Sequence, residues 1–250
     1  MRVVVLGASG QIGAGVSRRL RDRGIDVLDA QRSAGVDAYT GEGLHTAFSA
    51  ADIVVDCTNK MTQRAKVAID FFGTVAANVA AAADAAAVAR VVCLSIINAA
   101  DESVNAKFGY YQGKATQERT YQSALGDRLT VVRSAQWYEL ARQMMDTIRL
   151  GPVAVVPHMR CQPLSVADAA TALADVVVSG ASHDVEVAGP EVLDLTEVAA
   201  AIARRTGRPR RVIGVRFGGA AIGNGGLVPT HPDVIARTRL ADWLDKEYPV

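Results

Sequence analysis

Tyr110 and Lys114 stand four residues apart in the stretch Gly109-Tyr-Tyr-Gln-Gly-Lys114. On a helix, that spacing puts both side chains on one face. An ammonium close to a phenol stabilises the phenolate, so the pair predicts a tyrosine pKa drawn down from about 10 towards neutrality. Such a tyrosine can pass a proton to a carbonyl oxygen as hydride arrives from a nicotinamide, or take it back in the reverse direction. Ser95 follows the apolar run Val91-Val-Cys-Leu94, and at the end of a strand its hydroxyl is placed to hold the same oxygen. Tyr111 is read as an aromatic of the substrate pocket. Taken alone, Tyr-x-x-x-Lys is an ordinary helix-surface pair; the elements before it give it meaning.

The first of these is a glycine turn. Val3 to Leu6 is a short apolar run suited to a strand buried on both faces, and it leads into Gly7-x-x-Gly10-x-x-Gly13 and a helical stretch, Ala14 to Arg23. Strand, glycine turn and helix in that order suit a dinucleotide pyrophosphate. Gly7 permits the tight turn, Gly10 lets phosphates approach the backbone, and Gly13 lets helix and strand pack closely. Free N–H groups at the helix start and the helix dipole then favour the phosphates.

A second strand, Ile25 to Ala30, ends in Gln31-Arg32-Ser33. An acid at this place binds the ribose 2′-hydroxyl of NAD, whereas an arginine accommodates the 2′-phosphate of NADP. Arg32 lies 19 residues after Gly13, with Asp29 as its competitor inside the strand, so the reading favours NADP(H) over NAD(H). The third strand, Ile53 to Asp56, ends in Cys57-Thr58-Asn59. Parallel strands aim their C-terminal ends at the ligand crevice, which places Thr58 and Asn59 to touch the cofactor.

The other segments read as a frame for these. Residues 36–50 are turn-rich with a short helix, and residues 65–89 form a long Ala-rich helix. Leu129 to Val132 is a fifth strand with Arg133 to Trp137 as its outgoing loop, followed by an amphipathic helix over 138–149. From Gly151 the pattern changes to a strand at Val153–Val156, a helix over 166–178, a strand at Val185–Ala188 and a helix ending at Gly207. The glycine-rich run Gly218 to Gly226 is read as a mobile loop over a pocket. The expected fold is α/β, a Rossmann-like doubly wound parallel sheet with a smaller interleaved C-terminal substrate-binding part. Residues 1–150 form the NAD(P)-binding core, and residues 151–250 contribute the last strands and a small substrate region.

Composition narrows the partners. With 27 basic against 26 acidic residues in 250, the chain carries no basic stripe, and no nucleic-acid partner is expected. Arg204, Arg205 and Arg208 to Arg211 form a patch read as a solvated helix end. Cys57, Cys93 and Cys161 show no C-x-x-C spacing, and buried free thiols in a reducing compartment are expected. His45, His158, His183 and His231 show no metal-ligand spacing, so no metal is expected. The first strand begins at once, leaving no room for a signal peptide, and no uncharged apolar run reaches the ~18 residues of a membrane span. A cytoplasmic monomer or homodimer acting on a small molecule, away from any membrane, is the expectation.

Together the motifs make the chain resemble an atypical short-chain dehydrogenase/reductase of the NmrA-like and extended-reductase-related kind. The resemblance is carried by Gly7-Ala-Ser-Gly-Gln-Ile-Gly13, Asp70 to Thr74, Leu94-Ser95, Tyr110-x-x-x-Lys114 with Gln117-Glu118, and Arg133 to Trp137. Gln162 to Asp168, Ala188 to Glu191 and Leu195 to Glu197 extend it over nearly the whole chain. It implies an NAD(P)(H) cofactor, with Ser9, Gln11 and Ile12 in the phosphate turn, Arg32 at the ribose phosphate and Asn59 beside the adenosine side. Lys114 would touch the nicotinamide ribose, with Tyr110 as proton donor and Ser95 beside it. Two functions follow from it: an NADPH-dependent reductase of a small, largely apolar carbonyl or quinone, or an NADP(H)-sensing regulatory protein without turnover. Sugar-nucleotide epimerisation is a third, weaker reading.

Overall fold

The computed structural model describes residues 1–217 and 219–249. In chain order it contains β1 (Arg2–Leu6), α1 (Gln11–Asp22), β2 (Asp26–Ala30), α2 (Leu44–Phe48), β3 (Ile53–Asp56), α3 (Ala65–Ala85), β4 (Arg90–Ile96), α4 (Glu102–Asn105), α5 (Gly109–Leu125), β5 (Leu129–Ser134) and α6 (Tyr138–Thr147). The second half adds β6 (Arg149–Leu150), β7 (Val153–Pro157), β8 (Arg160–Cys161), α7 (Val166–Ser179), β9 (Val185–Ala188), β10 (Leu193–Asp194), α8 (Leu195–Thr206), β11 (Arg211–Val215), α9 (Ala220–Gly223), β12 (Val234–Ile235) and α10 (Leu240–Glu247).

Seven strands form one sheet in the order β12-β9-β5-β4-β3-β1-β2, and every pairing in it is parallel. Apolar runs such as Val3–Leu6 and Ile53–Val55 have no polar alternation because helices cover both of their faces. The fold is Rossmann-like and doubly wound, as expected. Its order near β1 is 2-1-3-4-5 rather than the longer 3-2-1-4-5-6, because residues 31–52 supply a turn, a bridge between Asp37 and Glu42, and α2, but no strand. The chain leaves β1 towards β2 and returns with β3 on β1's other side. That reversal opens a crevice beyond the C-terminal strand ends, where Leu6, Ala30 and Asp56 stand level across the sheet.

One face packs on α1 and α7, with Val16, Leu20, Ala170 and Leu173 fully buried. The other packs on α2, α3 and α5 through Phe48, Val75, Val79 and Tyr121. Among the described residues α3 alone is long and apolar enough to cross a membrane by length and composition. Here it lies on the sheet, with Phe72, Val75 and Val79 completely buried.

A third core joins α6, β7, α8 and α10 beside the strand ends. Ala141 and Met145 of α6 belong to it, so this lobe begins before residue 150. It carries a three-stranded sheet, β11-β7-β6; the chain returns to the main sheet through α7 and β9 between β7 and β11, and again at β12. The glycine-rich segment differs from the expectation of a mobile loop over a pocket. Gly218 lies outside the described residues; beyond it α9 forms, Ile222 and Leu227 are fully buried, and Asn98 Nδ2 donates to the Gly226 carbonyl at 2.9 Å. Apolar burial outweighs the loop-forming tendency of its glycines.

Candidate active site

Beyond β1 the crevice is walled at the glycine turn by backbone. Gly7 takes φ +71°, and a Cβ there would lie 2.8 Å from the Cys57 carbonyl oxygen. A Cβ on Gly13 would lie 2.3 Å from the Gly7 carbonyl oxygen, so α1 rests directly on the turn. Gly10 precedes α1 in extended geometry with no side-chain cap, leaving the first-turn N–H groups to whatever occupies the crevice. A cavity of about 460 Å³ runs from Gly7, Ser9 and Gly10 to Ala30, Gln31 and Arg32. Arg32 thus stands at the far end of this space, in the turn after β2. Asp29 does not join it: its carboxylate is paired with Arg21 at 2.8 Å.

A second cavity of about 340 Å³ shares Gly10, Cys57, Thr58 and Asn59 with the first. Gln11, Ile12, Ser95, Tyr110 and Lys114 also line it. The helix carrying the last two is seated by glycines. A Cβ on Gly109 would meet the Gln63 carbonyl oxygen at 2.4 Å, and one on Gly113 would meet Phe72 at 2.7 Å and Ala68 at 2.8 Å. Removing those carbons lets α5 close on α3. Phe72 then meets the Tyr110 ring edge-on at 5.7 Å, with Lys114 Nζ 4.6 Å from its own centre.

Lys114 is buried, with two of its three N–H donors engaged. Its Nζ donates to the Leu94 carbonyl and to Gln117 Oε1, both at 2.9 Å. Gln117 Nε2 donates in turn to Asp56 Oδ2 at 2.8 Å, which also receives the Tyr121 hydroxyl at 2.7 Å. The other oxygen of Asp56 takes the Thr58 N–H at 2.8 Å. A single buried acid at the end of β3 therefore fixes both the lysine's partner and the loop shared by the two cavities.

Tyr110 donates its hydroxyl to Asn59 Oδ1 at 3.0 Å. Burial pushes its phenol above the ordinary value, and the Lys114 charge opposes this without reversing it. The expectation of a depressed tyrosine pKa is therefore corrected: desolvation outweighs the ammonium, because that ammonium is bonded to Leu94 and Gln117 instead of to the phenol. Ser95 lines the cavity, but its hydroxyl donates to Glu118. Glu118 also accepts from Arg133 Nε at 3.0 Å and Nη2 at 2.7 Å, and Arg133 reaches Asp184 at 3.0 Å. In this arrangement Ser95 offers the cavity an oxygen lone pair; its proton is directed away.

The outer wall is apolar and aromatic, formed by Phe108, Tyr111, Trp137, Leu140, Met144 and Met159. Met145, the neighbour of Met144, is turned into the lobe's core. Lys114 is the one charged side chain in this wall among the described residues. The structure thus gathers Gly10, Gln11, Ile12, Thr58, Asn59, Ser95, Tyr110 and Lys114 around one cavity and Gly7, Ser9 and Arg32 around its continuation, with Gly13 behind the turn. Sequence reasoning missed Asp56 and Gln136. A lone acid closing an otherwise apolar strand was the available signal for Asp56; nothing local marked Gln136.

No family model matches the chain, and no curated protein matches it in sequence. Solved structures match its fold. UDP-N-acetylglucosamine 4-epimerase from Bacillus cereus superposes with a TM-score of 0.72 at 17% identity, covering 99% of this chain and 95% of that one. dTDP-4-dehydrorhamnose reductase from Bacillus anthracis, solved with NADP, gives 0.69 at 15% identity over 98% and 92%. A short-chain dehydrogenase/reductase superfamily protein from Agrobacterium tumefaciens, solved with NAD, gives 0.70 at 13% identity over 98% and 95%. The chain shares the fold of these solved proteins.

Proposed function

We propose that the chain is an NADP(H)-dependent oxidoreductase acting on a small, largely apolar carbonyl or quinone-type substrate, with Tyr110 as the proton donor. The observation that carries this reading is the continuity of the two cavities through Gly10, Thr58 and Asn59, with Tyr110 and Lys114 in the wall just past the junction. A dinucleotide fits the residues present. Gly7, Gly10 and Gly13 leave a cradle that added carbons would fill, and the uncapped start of α1 presents N–H groups suited to a pyrophosphate. Arg32 would hold a ribose 2′-phosphate, while Asp29, the competing reader of a 2′-hydroxyl, is engaged with Arg21. The fold's neighbours solved with NAD and NADP support the same class of cofactor. When bound, a reduced nicotinamide supplies hydride.

The chain's own residues do the rest. Tyr110, kept neutral by burial, holds a proton for a carbonyl oxygen turning into an alkoxide, once its hydroxyl leaves Asn59. Lys114 faces the same space with its charge, held in place by Leu94 and Gln117. Phe108, Trp137 and Met144 exclude water from the reacting atoms. A nucleotide diphosphate suits this wall poorly, since Lys114 is the one cation in its lining among the described residues. Substrates of that kind belong to the named neighbours; an apolar carbonyl fits better here.

A second reading, a dinucleotide-responsive regulatory protein without turnover, draws on one observation: the Tyr110 proton is committed to Asn59 and its pKa is raised. NADPH consumption against a panel of aldehydes, ketones and quinones, with NADH in parallel, separates the two. Turnover that prefers NADPH is the expected result. Tight NADPH binding with no turnover across the panel would favour the regulatory reading.

A further inference from the structure

The substrate wall contains a polar side chain that the fold leaves incomplete, as it also leaves Thr58 Oγ1 at the junction of the two cavities. Gln136 sits in the turn from β5 to α6 and is 3% exposed. Its backbone carbonyl accepts the Leu164 N–H at 3.0 Å, and its Nε2 donates to the Tyr111 hydroxyl at 2.7 Å. The residue is therefore pinned at both ends. Its Oε1, however, is buried with no hydrogen-bond partner. Buried polar atoms are paired in the great majority of cases, and one left unpaired on a residue that lines a cavity calls for a physical reason.

Its neighbours do not supply the missing bond. The Trp137 indole N–H is given to Ser134 Oγ at 3.0 Å, the Tyr110 hydroxyl to Asn59, and the Ser95 hydroxyl to Glu118. Leu140, Met144 and Met159 carry no donor, and none of the donors on Gln11, Thr58, Asn59, Gln63, Lys114 and Gln143, which also line the cavity, bonds to Oε1. A ligand in the cavity is left to supply it.

We infer that Gln136 determines specificity: its Oε1 accepts a hydrogen bond from a hydroxyl or N–H group on an otherwise apolar carbonyl substrate. The class is a hydroxylated or amino-bearing carbonyl compound, in preference to a bare ketone or quinone. A carboxylate or phosphate at this position would bring a second acceptor against Oε1 and be disfavoured. A methyl of the same size would leave Oε1 dry and unpaired, the kind of loss by which sites built for a hydroxyl reject analogues lacking one. The carbonyl part of this inference rests on the oxidoreductase reading; the hydrogen bond is a statement about binding alone.

The test is calorimetric titration of 4′-hydroxy-, 4′-methoxy- and 4′-methylacetophenone into the wild-type protein and Gln136→Met, with thermal melts to establish that the variant is folded. The wild type is expected to bind the hydroxyl compound about tenfold tighter than the methyl compound, with the methoxy compound no better than methyl. In Gln136→Met the hydroxyl compound should fall to the methyl compound's level. No hydroxyl preference in the wild type, or a preference that survives in the variant, overturns the inference. So does methoxy matching hydroxyl, which would make the amide a donor. Because binding is read without turnover, an intact preference with no NADPH oxidation would count against the reductase reading alone. Turnover without the preference would count against Gln136 alone.

Discussion

At the phosphate end of the cleft the walls are main chain: Gly7 and Gly13 leave 2.8 and 2.3 Å where a Cβ would meet a carbonyl oxygen, and the start of α1 has no side-chain cap. At the substrate end the walls are side chains brought from separate elements, Phe108 and Tyr111 from the α5 start, Trp137 and Met144 from α6, Met159 from the lobe. Backbone walls tolerate almost no added atoms and recognise a feature common to many ligands. Side-chain walls can be exchanged, and they set which molecule is admitted. The fold thus separates a fixed cofactor cradle from an adjustable substrate wall, and Asp56 joins them through Thr58 and Gln117.

Gly13→Val is the severest way to break the fixed end, because the added carbons meet a carbonyl that cannot move aside. A loss of about 4 kcal/mol or more in unfolding free energy is expected, together with loss of NADPH binding, in urea titrations and fluorescence. Asp56→Ala attacks the join. It leaves Gln117, Tyr121 and the Thr58 N–H short of a buried acceptor, and a cost of about 3 kcal/mol by denaturant titration is expected.

Three buried thiols, one of them in the lining shared by both cavities, give a pH dependence. Burial holds Cys57, Cys93 and Cys161 above the ordinary thiol value of 9.0. The folded chain keeps protons that the unfolded chain releases above that pH, so stability falls as pH rises. Each thiol is expected to cost about 1.4 kcal/mol per pH unit above the unfolded value, read from urea melts between pH 8 and 10.5. The smallest effect sharpens the part that Arg32 plays at the fixed end. Arg32→Ala should weaken NADPH about tenfold while leaving NADH unchanged, by equilibrium titration.

The sequence revealed the fixed end better than the adjustable one. Gly7, Gly10 and Gly13 act within thirteen residues, and Arg32 follows the next strand, so local spacing was enough. Tyr110 and Lys114 were also legible, since a single helix turn joins them. The direction of the Tyr110 shift was not, because burial and the Lys114 partners Leu94 and Gln117 come from tertiary packing. Ser95 and Glu118 are 23 residues apart, and no pattern in either stretch announces their hydrogen bond. The sheet order was hidden for a related reason: a turn-rich segment such as 31–52 does not state which side of β1 the next strand will take. Glycine content misled at 219–226, where Ile222 and the following Leu227 drive burial.

The most direct measurement is the initial rate of NADPH oxidation by wild type and Tyr110→Phe with the same carbonyl substrate, alongside NADPH affinity for both. A fall in kcat of at least about a hundredfold with NADPH affinity unchanged is the expected result. Equal turnover in the two proteins would contradict Tyr110 as the proton donor and, with it, the account of how this site works.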